Sequence, residues 1–216
     1  MSNKKFSWEL FEKVPIVGIV RNIGLEDIRQ ILPVCREAGL TTIEITMNTR
    51  GAAEIIKYAI ENEHSGLNIG AGTVCSKEDL EAALEAGAQF IVTPIINKKV
   101  IRSCVKKGIP IFPGAYTPTE IYHAWSLGAS MVKIYPATSL GPAFIKDLKA
   151  PLNNIKVLPT GGVSLDNILE FKKAGADGYG IGGQLFDKQL IQQKNWEGLR
   201  NHIQQYINKL SSNDRY

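Results

Sequence analysis

The chain has 216 residues, 44% hydrophobic and 21% charged, with a formal net charge of +4. This is an ordinary soluble composition, and it fits one large domain over residues 1–216 better than two small ones. Basic pairs such as Lys98-Lys99, Lys106-Lys107 and Lys172-Lys173 are spread along the chain, with no basic tail and no aromatic-studded basic strip. That argues against a nucleic-acid partner and leaves a mild positive balance suited to a small anion. No stretch approaches the roughly 18–20 apolar residues needed to span a bilayer, so no membrane association is expected. The three cysteines, Cys35, Cys75 and Cys104, form no CxxC pattern, and a disulfide framework is not expected. A cytoplasmic protein is the resulting expectation.

In chain order, "MSNKKFSWELFEKV" is basic and then amphipathic, and it reads as an extra N-terminal helix. Eight apolar, β-rich runs follow: "VPIVGIVR" (14–21), "EAGLTTIEIT" (37–46), "SGLNIGAGT" (65–73), "EAGAQFIVTP" (85–94), "KGIPIFPGA" (107–115), "LGASMVKIYP" (127–136), "NNIKVLPTGG" (153–162) and "AGADGYGIGG" (174–183). Six of them open on a glycine, at Gly39, Gly66, Gly87, Gly108, Gly128 and Gly175. Glycine just past a helix suits the left-handed position that ends it.

Helical patterns fill the intervals. Ser76-Lys77-Glu78-Asp79 resembles a capping sequence, and Thr117-Pro118-Thr119-Glu120 combines a hydroxyl N-cap, proline at the first turn and a glutamate three residues on. Trp196, Leu199, Ile203, Tyr206 and Leu210 keep a three-and-four spacing, which predicts a final helix, with a loose tail from about residue 211. Eight near-continuous apolar strands, each followed by a helix, predict a parallel sheet closed into a (β/α)8 barrel. An open doubly wound sheet is the alternative, weakened for dinucleotide binding by the lack of GxGxxG after the first strand.

Barrels of this kind carry their chemistry at the C-terminal ends of the strands. Two features stand out there. Glu44 and Lys133 each sit inside an apolar run, where an isolated charge costs several kcal/mol or shifts its pKa. A structural ion pair could be replaced by apolar residues at little cost, so stability is a weak reason to keep both. The second feature is glycine after the last two strands, in "TGGVS" and "GIGG", where barrels often bind phosphate through backbone N–H groups. A desolvated, neutral lysine is a good nucleophile toward a ketone, and the resulting Schiff base is an electron sink. A nearby carboxyl can move the protons. The histidines His64, His123 and His202 sit at no strand end, so no metal ligand set is visible, and no Ser/His/Asp pattern occurs.

In order and spacing, "IEIT", "GAGTV", "GAQFIVTP", "VKIYPA", "GPAFIKDLKAPL" and "LPTGGVS" resemble the bacterial aldolases that cleave 2-keto-3-deoxy-6-phosphogluconate (KDPG), with their phosphogalactonate and 4-hydroxy-2-oxoglutarate (KHG) relatives. The likeness runs from "VPIVGIVR" to "GIGGQLF". It implies a class I lyase with no metal or other cofactor, acting on a phosphorylated 2-keto-3-deoxy sugar acid and pyruvate, usually as a homotrimer. It implies Lys133 as the Schiff-base lysine and Glu44 as the general acid/base. Thr73 would help hold the pyruvate carboxylate, with Pro94 and Tyr135 lining the pocket. Thr160, Gly161 and Gly162 match the substrate and phosphate loop, and Gly182 and Gly183 its partner.

Two positions depart from the pattern. Asn48 stands where some members have a carboxylate-binding arginine, so Arg21 is expected to supply that contact before Arg50, through its bidentate fork. Gln184 stands where some members place a serine on the phosphate. An asparagine near Asn48 also occurs in the phosphogalactonate branch, which leaves the C4 stereochemistry of the sugar open. A sugar-phosphate isomerase or epimerase could use the same loops without needing Lys133, and a non-catalytic phosphosugar-binding protein would need neither Lys133 nor Glu44.

Overall fold

The computed structural model describes residues 5–62 and 66–212. Helix α1 (Trp8–Lys13) leads into strand β1 (Ile16–Val20). Seven units follow: α2 (Leu25–Ala38) and β2 (Thr42–Thr46), α3 (Ala52–Asn62) and β3 (Asn68–Gly72), α4 (Lys77–Glu85) and β4 (Ile91–Thr93), α5 (Lys98–Lys107) and β5 (Ile111–Ala115), α6 (Pro118–Ser126) and β6 (Val132–Ile134), α7 (Gly141–Lys149) and β7 (Val157–Pro159), α8 (Ile168–Lys173) and β8 (Tyr179–Ile181). Helices α9 (Lys188–Gln192) and α10 (Trp196–Ser211) complete the chain. All pairings are parallel, in the order β7-β6-β5-β4-β3-β2-β1-β8. A bridge between Thr160 and Gly180 joins the two outer strands and closes the barrel. Glycine permits this closure, since a Cβ at Gly180 would collide with the Thr160 side chain. The open-sheet alternative is therefore excluded.

The local signals act as their chemistry dictates. Ser76 with Asp79, and Thr117 with Glu120, form reciprocal capping boxes at α4 and α6. Gly39 and Gly108 end α2 and α5 in the left-handed region, which a Cβ would strain. The last helix runs further than its sequence suggests. Ser211 is its final residue; its hydroxyl donates to the Ile207 carbonyl, and the Ser212 hydroxyl donates to the Lys209 carbonyl, one of those that the helix end leaves open. The rest of the expected loose tail, residues 213–216, lies outside the described residues, as does His64.

Apolar side chains form two bodies. The larger lies between the sheet and the helices and includes Ile43, Ile45, Ile134 and Ile181. The smaller fills the N-terminal half of the barrel interior, with Val17, Phe90, Val92, Phe112, Met131 and Leu158. Phe6 and Phe11, flanking the start of α1 and within it, close that end. Phe6 meets the edge of Phe90 at 5.2 Å between ring centroids, and Phe11 lies 6.1 Å from Phe112. Asn68 on β3 latches this plug: its side-chain carbonyl accepts from the Ser7 N–H at 2.8 Å, and its amide donates to the Ser7 carbonyl at 2.9 Å. The interior is thus dry at one end and polar at the other, where the strand C-termini lie. Among the described residues no helix is long and apolar enough to cross a membrane.

Candidate active site

Alternation along β2 points Ile43 and Ile45 outward and Glu44 into the barrel. The same rule on β6 sends Val132 and Ile134 outward and Lys133 inward. The two strands lie across the barrel from each other. Glu44 is 1% exposed and Lys133 2% exposed. Room for the carboxyl comes from Gly72, where a Cβ would overlap the Glu44 carboxylate.

No ion pair within 4.0 Å joins Glu44 and Lys133, and both Glu44 oxygens are buried without a hydrogen-bond partner among the described residues. Burial pushes the Glu44 pKa up, against weaker opposing pulls from Lys133 and Arg21. Burial pushes the Lys133 pKa down; Glu44 opposes this and Arg21 adds to it. Both shifts move toward the uncharged forms. The Lys133 ammonium position lies 4.8 Å from the centroid of the Tyr135 ring, whose face stabilises positive charge there.

A cleft of about 230 Å³ opens above Lys133. Arg21, Lys133, Tyr135, Thr160, Gly161, Gly162, Gly182, Gly183 and Gln184 line it, with Ile19, Ile23, Val163 and Phe186 as apolar wall. Eight of the expected site residues are brought together here. Glu44 lies beneath the wall rather than in it. Thr73, Pro94 and Asn48 are not lining residues: Asn48 is exposed in the turn after β2, and Pro94 and Thr73 stand at the ends of β4 and β3. Between the two arginines weighed for anion binding, the cleft holds Arg21 and not Arg50.

Thr73 nevertheless has a distinctive backbone. Its φ is +56°, a strained region for a β-branched residue, costing about 1–3 kcal/mol. The turn lets the Val74 N–H reach the Val92 carbonyl at 3.2 Å. Such strain is retained where surrounding structure fixes it, commonly at sites of function.

The glycine loops are shaped differently from a simple strand-to-helix turn. After β7, Gly161 and Gly162 both have positive φ, and a Cβ on Gly162 would come within 2.9 Å of Thr138 Cα. Asn167 ties this loop, donating to the Gly162 carbonyl at 2.8 Å and accepting from the Ser164 N–H at 2.9 Å. Its engagement delays α8, which starts at Ile168 rather than directly after "TGGVS". After β8, the Gly182 carbonyl accepts from both Leu185 N–H (2.8 Å) and Phe186 N–H (2.9 Å), making a tight turn before α9. Among the described residues, the N–H groups of Gly183 and Gln184 have no acceptor.

Sequence reasoning missed the clasp that sets Arg21. The Thr49 hydroxyl accepts from the Asn22 N–H at 3.0 Å and pairs with the Thr46 hydroxyl at 3.0 Å, fixing the end of β1 to the end of β2. The threonines in "IEITMNT" were the available signal, but nothing local says that they reach another strand. Among the described residues no three His, Cys, Asp or Glu side chains group as metal ligands would.

Comparison with known proteins finds relatives over nearly the whole chain. The family model described as "KDPG and KHG aldolase" matches residues 9–202. The 2-dehydro-3-deoxy-6-phosphogalactonate aldolase of Escherichia coli (strain K12) is 35% identical over 81% of this chain and 85% of its own. The 2-dehydro-3-deoxy-phosphogluconate aldolase of Haemophilus influenzae is also 35% identical, over 92% of this chain and 95% of its own. Among solved structures, one described as native KDPGal superposes with a TM-score of 0.84 at 30% identity, covering 96% of this chain and all of that one. A lysine inside strand β6, a carboxyl inside β2 and glycine loops at one barrel mouth are thus accompanied by homology over nearly the whole length, and the chain belongs to the KDPG and KHG aldolase family.

Proposed function

We propose that this protein is a class I aldolase that splits 2-keto-3-deoxy-6-phosphogluconate into pyruvate and glyceraldehyde 3-phosphate, with Lys133 as the nucleophile. The observation that carries the reading is the buried Glu44–Lys133 pair, which lacks an ion-pair contact and whose pKa values both move toward neutral forms. The lone pair of the Lys133 amine attacks the C2 ketone while Glu44, as the acid, protonates the carbonyl oxygen. Loss of water from this carbinolamine gives an iminium. Glu44, now a carboxylate, takes the C4 hydroxyl proton; the C3–C4 bond breaks, and its electrons reach the iminium nitrogen as an enamine. The aldehyde departs, Glu44 returns its proton to C3, and water releases pyruvate from Lys133.

Other groups hold the substrate. The Arg21 guanidinium supplies a bidentate contact for the carboxylate, and Thr73, on the strained turn after β3, is assigned as a second anchor. Tyr135 stabilises the iminium charge from its ring face. The loops at Gly161–Gly162 and Gly182–Gly183 receive the phosphate, with Thr160 at their base; Pro94, at the end of β4, stands outside the cleft lining. Asn48, exposed after β2, is assigned to the outer part of the sugar. No metal or other cofactor enters the reaction.

The 4-epimer, 2-keto-3-deoxy-6-phosphogalactonate, is the second substrate to test, because relatives of both names match equally well. Unphosphorylated 4-hydroxy-2-oxoglutarate is the third. Ile95, Val105, Tyr116 and Tyr122 are large exposed apolar side chains on the consecutive β4–α5 and β5–α6 units, which supports an interface between copies; the family resemblance makes the proposed assembly a homotrimer. Light scattering checks that assembly. The primary test is incubation with pyruvate and borohydride followed by peptide mass analysis. A reduced pyruvyl adduct on Lys133 is expected. No adduct on any lysine would refute the mechanism and favour an isomerase using the same loops.

A further inference from the structure

We propose that Tyr206 and His202, on the C-terminal helix α10, are positioning residues for the anion-binding turn after β8, a role that rests on the phosphate reading of that turn. The Tyr206 hydroxyl donates to the Gln184 carbonyl at 2.9 Å, and His202 Nε2 lies 2.8 Å from the same oxygen. One carbonyl has two lone pairs, and here both are taken by donors from a single helix. The two rings also pack edge to face, 5.6 Å apart. Tyr206 is buried, and burial pushes its phenol pKa up against a weaker pull from the Leu165 backbone, so it stays a protonated donor.

The contact reaches the ligand through a chain of peptide groups. The Gln184 carbonyl shares its peptide with the Leu185 N–H, which donates to the Gly182 carbonyl at 2.8 Å. The Gly182 carbonyl shares its peptide with the Gly183 N–H, which has no acceptor among the described residues and belongs to a residue lining the cleft. Each bond in such a series polarises the next, so donation at Gln184 makes the Gly183 N–H a better donor to an anion. The same bonds fix where that N–H points. Leu185 and Phe186 are buried and hold the rest of the turn. At this position Gln184 offers no hydroxyl, and the backbone must do more of the binding. The arrangement supplies that by holding the turn from behind.

The test uses the full chain with Tyr206→Phe, which keeps the ring, and separately His202→Leu. Inorganic phosphate binding is measured by calorimetry, and kcat and KM are measured for the phosphogluconate substrate and for 4-hydroxy-2-oxoglutarate. For each variant, phosphate binding is expected to weaken about fivefold, the size of one lost hydrogen bond. KM should rise by a similar factor for the phosphorylated substrate alone, with kcat and borohydride trapping of pyruvate retained. Unchanged phosphate affinity in both variants would overturn the proposal, as would an equal loss on both substrates, which is the mark of a merely structural role. A wild-type protein that binds phosphate but cleaves neither substrate would refute the proposed function and leave the positioning role standing.

Discussion

Gly72→Ala separates the chemistry from the fold. An added Cβ would lie 2.6 Å from Glu44 Cδ and 3.2 Å from Cγ. Carbon atoms in contact rest about 3.5–4.0 Å apart, so the carboxyl must retreat by roughly 1 Å. The obstructing atoms are the far end of a flexible side chain, and the β3 backbone need not move. A misplacement of that size costs on the order of 10²-fold, within the 10²–10⁴-fold range of a general acid/base. Pyruvate release followed by coupled reduction gives kcat, and circular dichroism gives the melting temperature. The expected result is a kcat loss of about 10²-fold with pyruvate still trapped on Lys133. Gly24→Ala, where nothing lies within 4 Å of the new methyl, is the control for turnover and should leave kcat unchanged, with only the small stability loss of a poorer helix N-cap. Turnover within about threefold of wild type in Gly72→Ala would mean that the Glu44 position does not govern proton transfer.

Lys133→Met removes the nucleophile and also a buried titratable amine. Activity and borohydride trapping should vanish while the melting temperature at pH 7 rises by roughly 2–8 °C, for about 1–2 kcal/mol. A lowered melting temperature would show that Lys133 is a net structural asset. The pH dependence has a fixed sign. The Lys133 contribution to stability is present above its ordinary value of 10.5 and lost as pH falls through the depressed folded value; the Glu44 contribution is present below 4.5 and lost as pH rises through the raised one. Near neutrality both groups therefore cost stability, and trapping on Lys133 should rise with pH and level off below 10.5, which mass-labelling at stepped pH measures. Thr49→Val breaks the clasp behind Arg21. It should raise the pyruvate concentration needed for half-maximal trapping about three- to tenfold, with little change in the maximal rate. An unchanged half-saturation would remove Arg21 from carboxylate binding.

What the sequence conveyed was the part written in short spacings. Gly39 and Gly108 mark helix ends through their own φ angles, and Thr117 and Glu120 complete a box within one turn. Alternation within "IEIT" and "MVKIYP" was enough to send Glu44 and Lys133 inward. Long-range polar contacts carry no such period. The Asn68 hold on Ser7, the Thr49 hold on Asn22 and the Tyr206 hold on Gln184 each join distant segments, and each partner alone is an ordinary polar residue. Asn48, Thr73 and Pro94 show the limit of motif order: it gives the strand end, while the strand's tilt and turn decide whether a side chain meets the cleft.

The aromatic plug at the N-terminal end has a consequence for assembly in time. Phe6 and Ser7 leave the ribosome well before their partners, Asn68, Phe90 and Phe112, and the latch alone spans 61 residues of sequence. Closing so long a loop costs chain entropy that no contact within the first strand offsets. The opening segment therefore waits unpaired until the fifth strand has emerged, and its docking belongs to the late, slow part of folding. A nascent chain from which Phe112 has not yet emerged should expose these aromatic rings to chaperones, and one from which Ala115 has emerged should begin to hide them.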